Sequence, residues 1–146
     1  MNLTQISQLG FIRKLALAYA VMFVFVVALG YIPGFTDEAG QLFGLFRIEL
    51  HDDILHLASG IWAATAAWLS TRASILYFKL FGVLYGLDGV VGLLTGHGYL
   101  DGGIFLHPNV PVDLFTRVFA NLPHILIGGI AIEIGYLISR RFVNEP

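Results

Sequence analysis

The chain has 146 residues, of which 57% are hydrophobic and only 12% charged, and its mean hydropathy is +0.78. A soluble domain carries roughly 25% charged residues, so the composition points to a single integral membrane domain. The net charge of −2 argues against a nucleic-acid partner, and the lack of cysteine excludes disulfides, thiol redox chemistry and thiolate metal sites.

Residues 1–10 are polar, and Arg13 and Lys14 then precede a long apolar run. That run is too long for the core of a signal peptide and ends without a small-residue cleavage site, so it reads as a retained span. Span one covers roughly residues 15–32 and is stopped by Pro33-Gly34. A loop with Asp37, Glu38, Gly40 and Gly44 follows, carrying a short amphipathic segment near residues 42–46. Span two covers roughly 53–69, and a tight turn, Ser70-Thr-Arg-Ala-Ser74, leads into span three at roughly 75–95. Residues 96–117 form the longest loop, rich in Gly, Pro, Asp and His. Span four covers roughly 120–138, with Pro123 expected in its first turn.

Charge sets the orientation. Arg13, Lys14, Arg72, Lys79, Arg140 and Arg141 fall on one side, while the other holds Arg47 and Arg117 among acidic residues. The positive-inside rule then places both termini in the cytoplasm of a bacterial-type inner membrane, with the two long loops outside. Trp68, Tyr77 and Tyr136 are expected at the inner interface and Tyr31, Tyr99 and Phe115 at the outer one. His51, His56, His97, His107 and His124 all fall in the outer half.

An internal repeat underlies this layout. His56 is followed at helical steps by Gly60, Ala63, Ala64 and Ala67, and His124 by Gly128, Ala131 and Gly135. Spans one and three also superpose, Ala16 on Gly82, Tyr19 on Tyr85, Ala20 on Gly86 and Gly30 on Gly96. The expected fold is therefore all-α, a four-transmembrane-helix bundle built from two tandem two-helix repeats. Small-residue stripes such as Gly82, Gly86 and Gly89 allow its helices to approach closely.

Asp52, Asp53, His56, Asp88 and His124 are expected to meet in one outer-leaflet pocket, because ionisable groups inside a span are costly and mark function by default. Three readings are open. Carboxylates and imidazoles on facing helices bind transition metals, here through Asp52, Asp53, His56, Asp88 and His124, although Asn121 stands where a second Asp would complete a symmetric site. Two equivalent histidines, His56 and His124, also suit the axial positions of a haem, with Gly60 and Gly128 making room. The third reading is structural, with His–Asp or His–carbonyl bonds pinning the helices in lipid. Asp88 further raises an ion or proton pathway, but no polar residue continues it inward on the same face. Glu133 lies about 180° round its helix from His124, so it points to a partner or protomer contact, or else snorkels toward the inner interface. The glycine-rich stretch Gly96 to Gly103 follows a helix instead of opening one, so it is no phosphate loop, and no catalytic constellation stands out.

The segments His-Asp-Asp-Ile-Leu-His-Leu-x-x-Gly, Phe-Gly-Val-Leu-Tyr-Gly and Leu-Pro-His-Ile-Leu-Ile-Gly resemble a bacterial family of small four-span membrane proteins of unknown function with repeated His-x-x-x-Gly helices. The resemblance covers about residues 40 to 140. It implies the four-span repeat and no activity. The sequence thus leads to a structural or accessory membrane subunit, without catalytic residues, packing in the bilayer against other subunits or copies of itself. The alternative is a protein that holds a metal or haem in the His/Asp cluster.

Overall fold

The computed structural model describes residues 9–144 except 39, 45 and 48, with the backbone alone at 46 and 47. The side chain of Arg47, expected in an outer loop, thus lies outside the described residues. In chain order the elements are α1 (Phe11–Leu29), β1 (Gln41–Leu42), β2 (Phe46–Arg47), α2 (Leu50–Leu69), α3 (Thr71–Thr95), α4 (Gly103–Leu106) and α5 (Leu114–Tyr136), followed by a 3-10 turn at Ile138–Arg141. The architecture is all-α apart from the small antiparallel hairpin, in which Gln41 pairs with Arg47 and Leu42 with Phe46. That hairpin replaces the amphipathic segment expected near residues 42–46, because Phe43 and Gly44, between the strands, adopt positive φ and turn the chain back on itself.

Among the described residues, three helices are long and apolar enough to cross a membrane: Phe11–Leu29, Thr71–Thr95 and Leu114–Arg141. The remaining long helix, α2, matches them in length, but His51, Asp52, Asp53 and His56 lower the hydropathy of its first two turns.

The helices begin earlier than their apolar runs suggest, for local reasons. In α1, Arg13 lies inside the helix, and its guanidinium donates to the carbonyls of Ala67 (2.7 Å) and Trp68 (2.9 Å), satisfying the C-terminal end of α2. The turn expected over residues 70–74 shrinks to Ser70, whose hydroxyl accepts from the Ala73 amide and caps α3. Asp113 caps α5 by accepting from the amides of Phe115 and Thr116 and from the Thr116 hydroxyl. These bonds hold the Asp113 carboxyl below its usual range, the Thr116 hydroxyl contributing most. Because α5 opens at Leu114, Pro123 falls in its interior and not in its first turn.

The packing divides into two close pairs, α1 with α2 and α3 with α5. A Cβ on Gly60 would stand 3.2 Å from the Phe23 Cβ and 3.4 Å from the Ala20 carbonyl, so α2 meets α1 there. In the second pair contact is backbone to backbone. A Cβ on Gly82 would stand 2.7 Å from the Ile132 amide, and one on Gly128 would run into the main chain of Gly82 and Gly86. Tyr19, Phe23, Tyr77, Phe78, Phe81 and Tyr85 fill the space between the pairs as a column of edge-on and stacked rings. Tyr77 is fully buried in this column, against Trp62 and Phe81, and so is not the interfacial residue its position suggested. Two bonds cross between pairs: the Tyr19 hydroxyl donates to the Ile127 carbonyl (2.9 Å), and the Tyr85 and Ser59 hydroxyls share a bond of 3.0 Å.

Candidate metal-binding cavity

The two pairs diverge at the end where α2 and α5 begin and α3 finishes. A cavity of about 620 Å³ opens between them, covered by the hairpin and by the loop from Gly96 to Asp113. All five histidines line it, together with Asp52, Asp53, Asp88 and Asp101. The five residues expected to form a pocket therefore do share one, and their bonding divides them into separate roles.

Asp88 sits in the last two turns of α3 and is buried. Its Oδ2 accepts from His124 Nδ1 at 2.7 Å, while Oδ1 accepts from the amides of Tyr99 (2.6 Å) and Leu100 (2.8 Å). The loop can wrap the carboxylate this closely only because residue 98 is glycine, whose absent Cβ would stand 2.8 Å from Oδ1. The glycine-rich stretch is thus an anion-binding loop after all, and the anion is the chain's own carboxylate. Asp53 is similarly committed, accepting from the Tyr31 hydroxyl at 2.6 Å.

The two helical histidines are oriented alike. His56 Nδ1 donates to the Asp52 carbonyl at 2.7 Å, one turn back along α2. His124 Nδ1 donates to Asp88. In each ring this leaves Nε2 carrying the lone pair. The rings meet edge-on, with centroids 6.1 Å apart and planes at 72°, and Phe23 lies against His56 and Tyr85 against His124. Metal-ligating histidines ordinarily donate the distal N–H to a carboxylate or backbone carbonyl, which fixes the tautomer and the ring plane. Two imidazoles bound to one ion through bonds of roughly 2.0–2.1 Å have ring centres about 5–6.5 Å apart.

Nearer the mouth, His51, Asp52 and Asp101 offer ligand atoms that all lie within 4.8 Å of one another. Asp52 lies ahead of the apolar span of α2. Burial, followed by repulsion from Asp101, pushes its carboxyl up to about 6. Glu49 stands 2.9 Å from His51 and 3.6 Å from His107. His97 Nε2 donates to the Val110 carbonyl at 2.9 Å, tying the loop to itself.

Gly60 and Gly128 face α1 and α3 and not the cavity, and the rings of Phe23 and Tyr85 flank the imidazoles. Arg117, one of the two cations expected outside, donates to the carbonyls of Leu94 and Val112. Glu133 lies on the outward face of α5, exposed, and has no hydrogen-bond or ion-pair partner among the described residues.

Sequence reasoning missed Asp101, His51, Tyr31 and the Tyr99 and Leu100 amides. The available signal for Asp101 was its place in the run Gly98-Tyr-Leu-Asp-Gly-Gly103, where glycines allow a loop to fold over a carboxylate.

Comparison with known proteins bears on the family alone. No curated protein and no solved structure matches the chain. A family described as a domain of unknown function, DUF4383, matches residues 13–128. That match takes in α1, α2, α3, the covering loops and the His124 end of α5, and the chain therefore belongs to this uncharacterised family.

Proposed function

We propose that the protein is a four-span membrane protein that binds one divalent transition-metal ion in its outward-facing cavity, through Nε2 of His56 and His124. The observation that carries the reading is the matched pair of imidazoles. Each has Nδ1 engaged by an oxygen acceptor, and the ring centroids lie 6.1 Å apart with the planes at 72°. With no thiolate in the chain, the donor set is imidazole and carboxylate, which suits zinc, iron or nickel more than copper(I). Asp88 orients His124, and the Asp52 carbonyl orients His56.

The four-span topology is supported by the length of α2 and by its burial of Gly60, Ala63, Ala66 and Ala67 against the other helices. The repeat is supported by the crossed bonds. Tyr19 corresponds to Tyr85, and Ile127, just before Gly128, corresponds to Ser59, just before Gly60, so the two inter-pair bonds join corresponding positions, one at a backbone carbonyl and one at a hydroxyl. Orientation with both termini in the cytoplasm of a bacterial-type inner membrane rests on the cations at the end opposite the five histidines.

The second reading is a structural or accessory subunit with the same polar groups as internal ties. The bonds joining Asp88 to His124, Tyr99 and Leu100 favour it, since they lock α3, α5 and the covering loop together without a ligand.

Equilibrium dialysis of the detergent-solubilised protein against zinc(II), cobalt(II) and nickel(II) separates the two. The metal reading expects one tightly held ion per chain, weakened at least tenfold by His56→Ala and by His124→Ala. Binding no tighter in the wild type than in the double variant leaves the structural reading.

A further inference from the structure

Glu133 has no role in the cavity, yet it places a carboxyl on the exposed face of a helix apolar enough to cross a membrane. It sits in α5 about 7 Å, or five residues, from the inner end of the proposed span. Its face carries Leu122, Leu126 and Ile130, all exposed and apolar. A carboxyl group turned toward lipid is expensive unless something hydrogen-bonds it. Nothing in the described chain does so.

One turn outward on the same face is Gly129, and nothing lies within 4 Å of where its Cβ would be. The glycine serves no contact inside the bundle, in contrast to its neighbour Gly128, which is wedged against α3. A notch at Gly129 lets another helix approach closely enough for a side chain as short as Glu133 to reach it. Two turns inward from Glu133, Arg140 is also exposed.

We infer that this face of α5 is the two-fold interface of a homodimer, in which Glu133 of each copy meets Glu133 and Arg140 of the other. A second copy is the occupant for three reasons. It inserts with the same orientation, so its Glu133 arrives at the same depth. A carboxylic acid both donates and accepts, which makes Glu133 complementary to itself across a two-fold axis. The same copy also supplies a cation, Arg140, on the cytoplasmic side of the acid, so the pair remains satisfied whether protonated or ionised.

The interface lies on the far side of α5 from the cavity, so its test is independent of metal binding. Association is measured by sedimentation equilibrium of the full chain in density-matched micelles. The wild type and Glu133→Gln, which keeps a donor and an acceptor, are expected to be dimers. Glu133→Leu and Gly129→Leu are expected to weaken association at least tenfold. Gly129→Leu meets open space within the monomer, so its thermal unfolding should match that of the wild type after dilution to monomer. Because the chain has no native cysteine, Leu126→Cys in native membranes should form a disulfide-linked dimer, and Val83→Cys on the outward face of α3 should not. A monomeric wild type, a dimer indifferent to both leucine variants, or Leu126→Cys cross-linking to a different polypeptide would each overturn the inference.

Discussion

Gly128 and Gly129 are adjacent in α5, about 100° apart round the helix, and one is packed against α3 while the other is open, so the same methyl group added to each isolates one physical effect. Replacing a helical glycine by alanine gains about 1 kcal/mol in propensity at both positions. At Gly129 the new Cβ meets nothing within 4 Å inside the chain, so in protein diluted to monomer that gain should appear undiminished. At Gly128 the Cβ would stand 2.9 Å from the Gly82 carbonyl and nearer still to the Gly86 amide. These neighbours are backbone, not the tip of a flexible side chain, so relief requires α3 and α5 to separate. Overpacking of this kind costs about 1–3 kcal/mol. The propensity gain cancels in the comparison, and Gly128→Ala should be about 1–3 kcal/mol less stable than Gly129→Ala. Thermal or urea-driven unfolding of the monomer in one detergent, followed by circular dichroism, measures the difference. Equal stabilities would mean that the α3–α5 contact is not the close backbone packing described here.

Other consequences follow from single groups. Asp52 has a carboxyl raised above its unfolded value near 3.8 to about 6. The favourable contribution of its neutral form is thus complete below about pH 4 and is lost as pH rises through 6. In chelator, Asp52→Asn should be more stable than the wild type at pH 7.5, with the advantage vanishing near pH 4. A pH-independent difference would contradict the burial assigned to Asp52. Arg13→Ala removes two bonds to the end of α2 and should cost about 1–3 kcal/mol of unfolding free energy, whereas Arg13→Lys should recover only part of it. Reporter fusions after Glu38 and at the C-terminus should give outside and inside signals respectively, and the reverse would invert the proposed topology.

The long apolar runs and the small-residue stripes were readable because lipid and close packing act on every residue of a helix. Gly60, Gly82 and Gly128 lie where their spacing placed them. Helix starts were less legible. Ser70 and Asp113 are capping residues inside what read as loops, and Arg13 looked like a boundary although it is helical. The candidate site was half legible. His56, His124 and Asp88 could be brought to one depth by counting turns. Their division of labour could not, since it depends on a loop between Gly96 and Asp113 that returns to grip Asp88 and delivers Asp101 beside Asp52. Contacts of that kind have no period in the sequence.

The central claim is that His56 and His124 ligate the same ion through Nε2, and X-ray absorption at the metal edge of the zinc-loaded protein tests it most directly. The account predicts two imidazole nitrogens at about 2.0–2.1 Å, with oxygen completing the shell. His56→Ala and His124→Ala should each reduce the imidazole count by one. A spectrum with no imidazole scattering, or one unchanged in both variants, would contradict it.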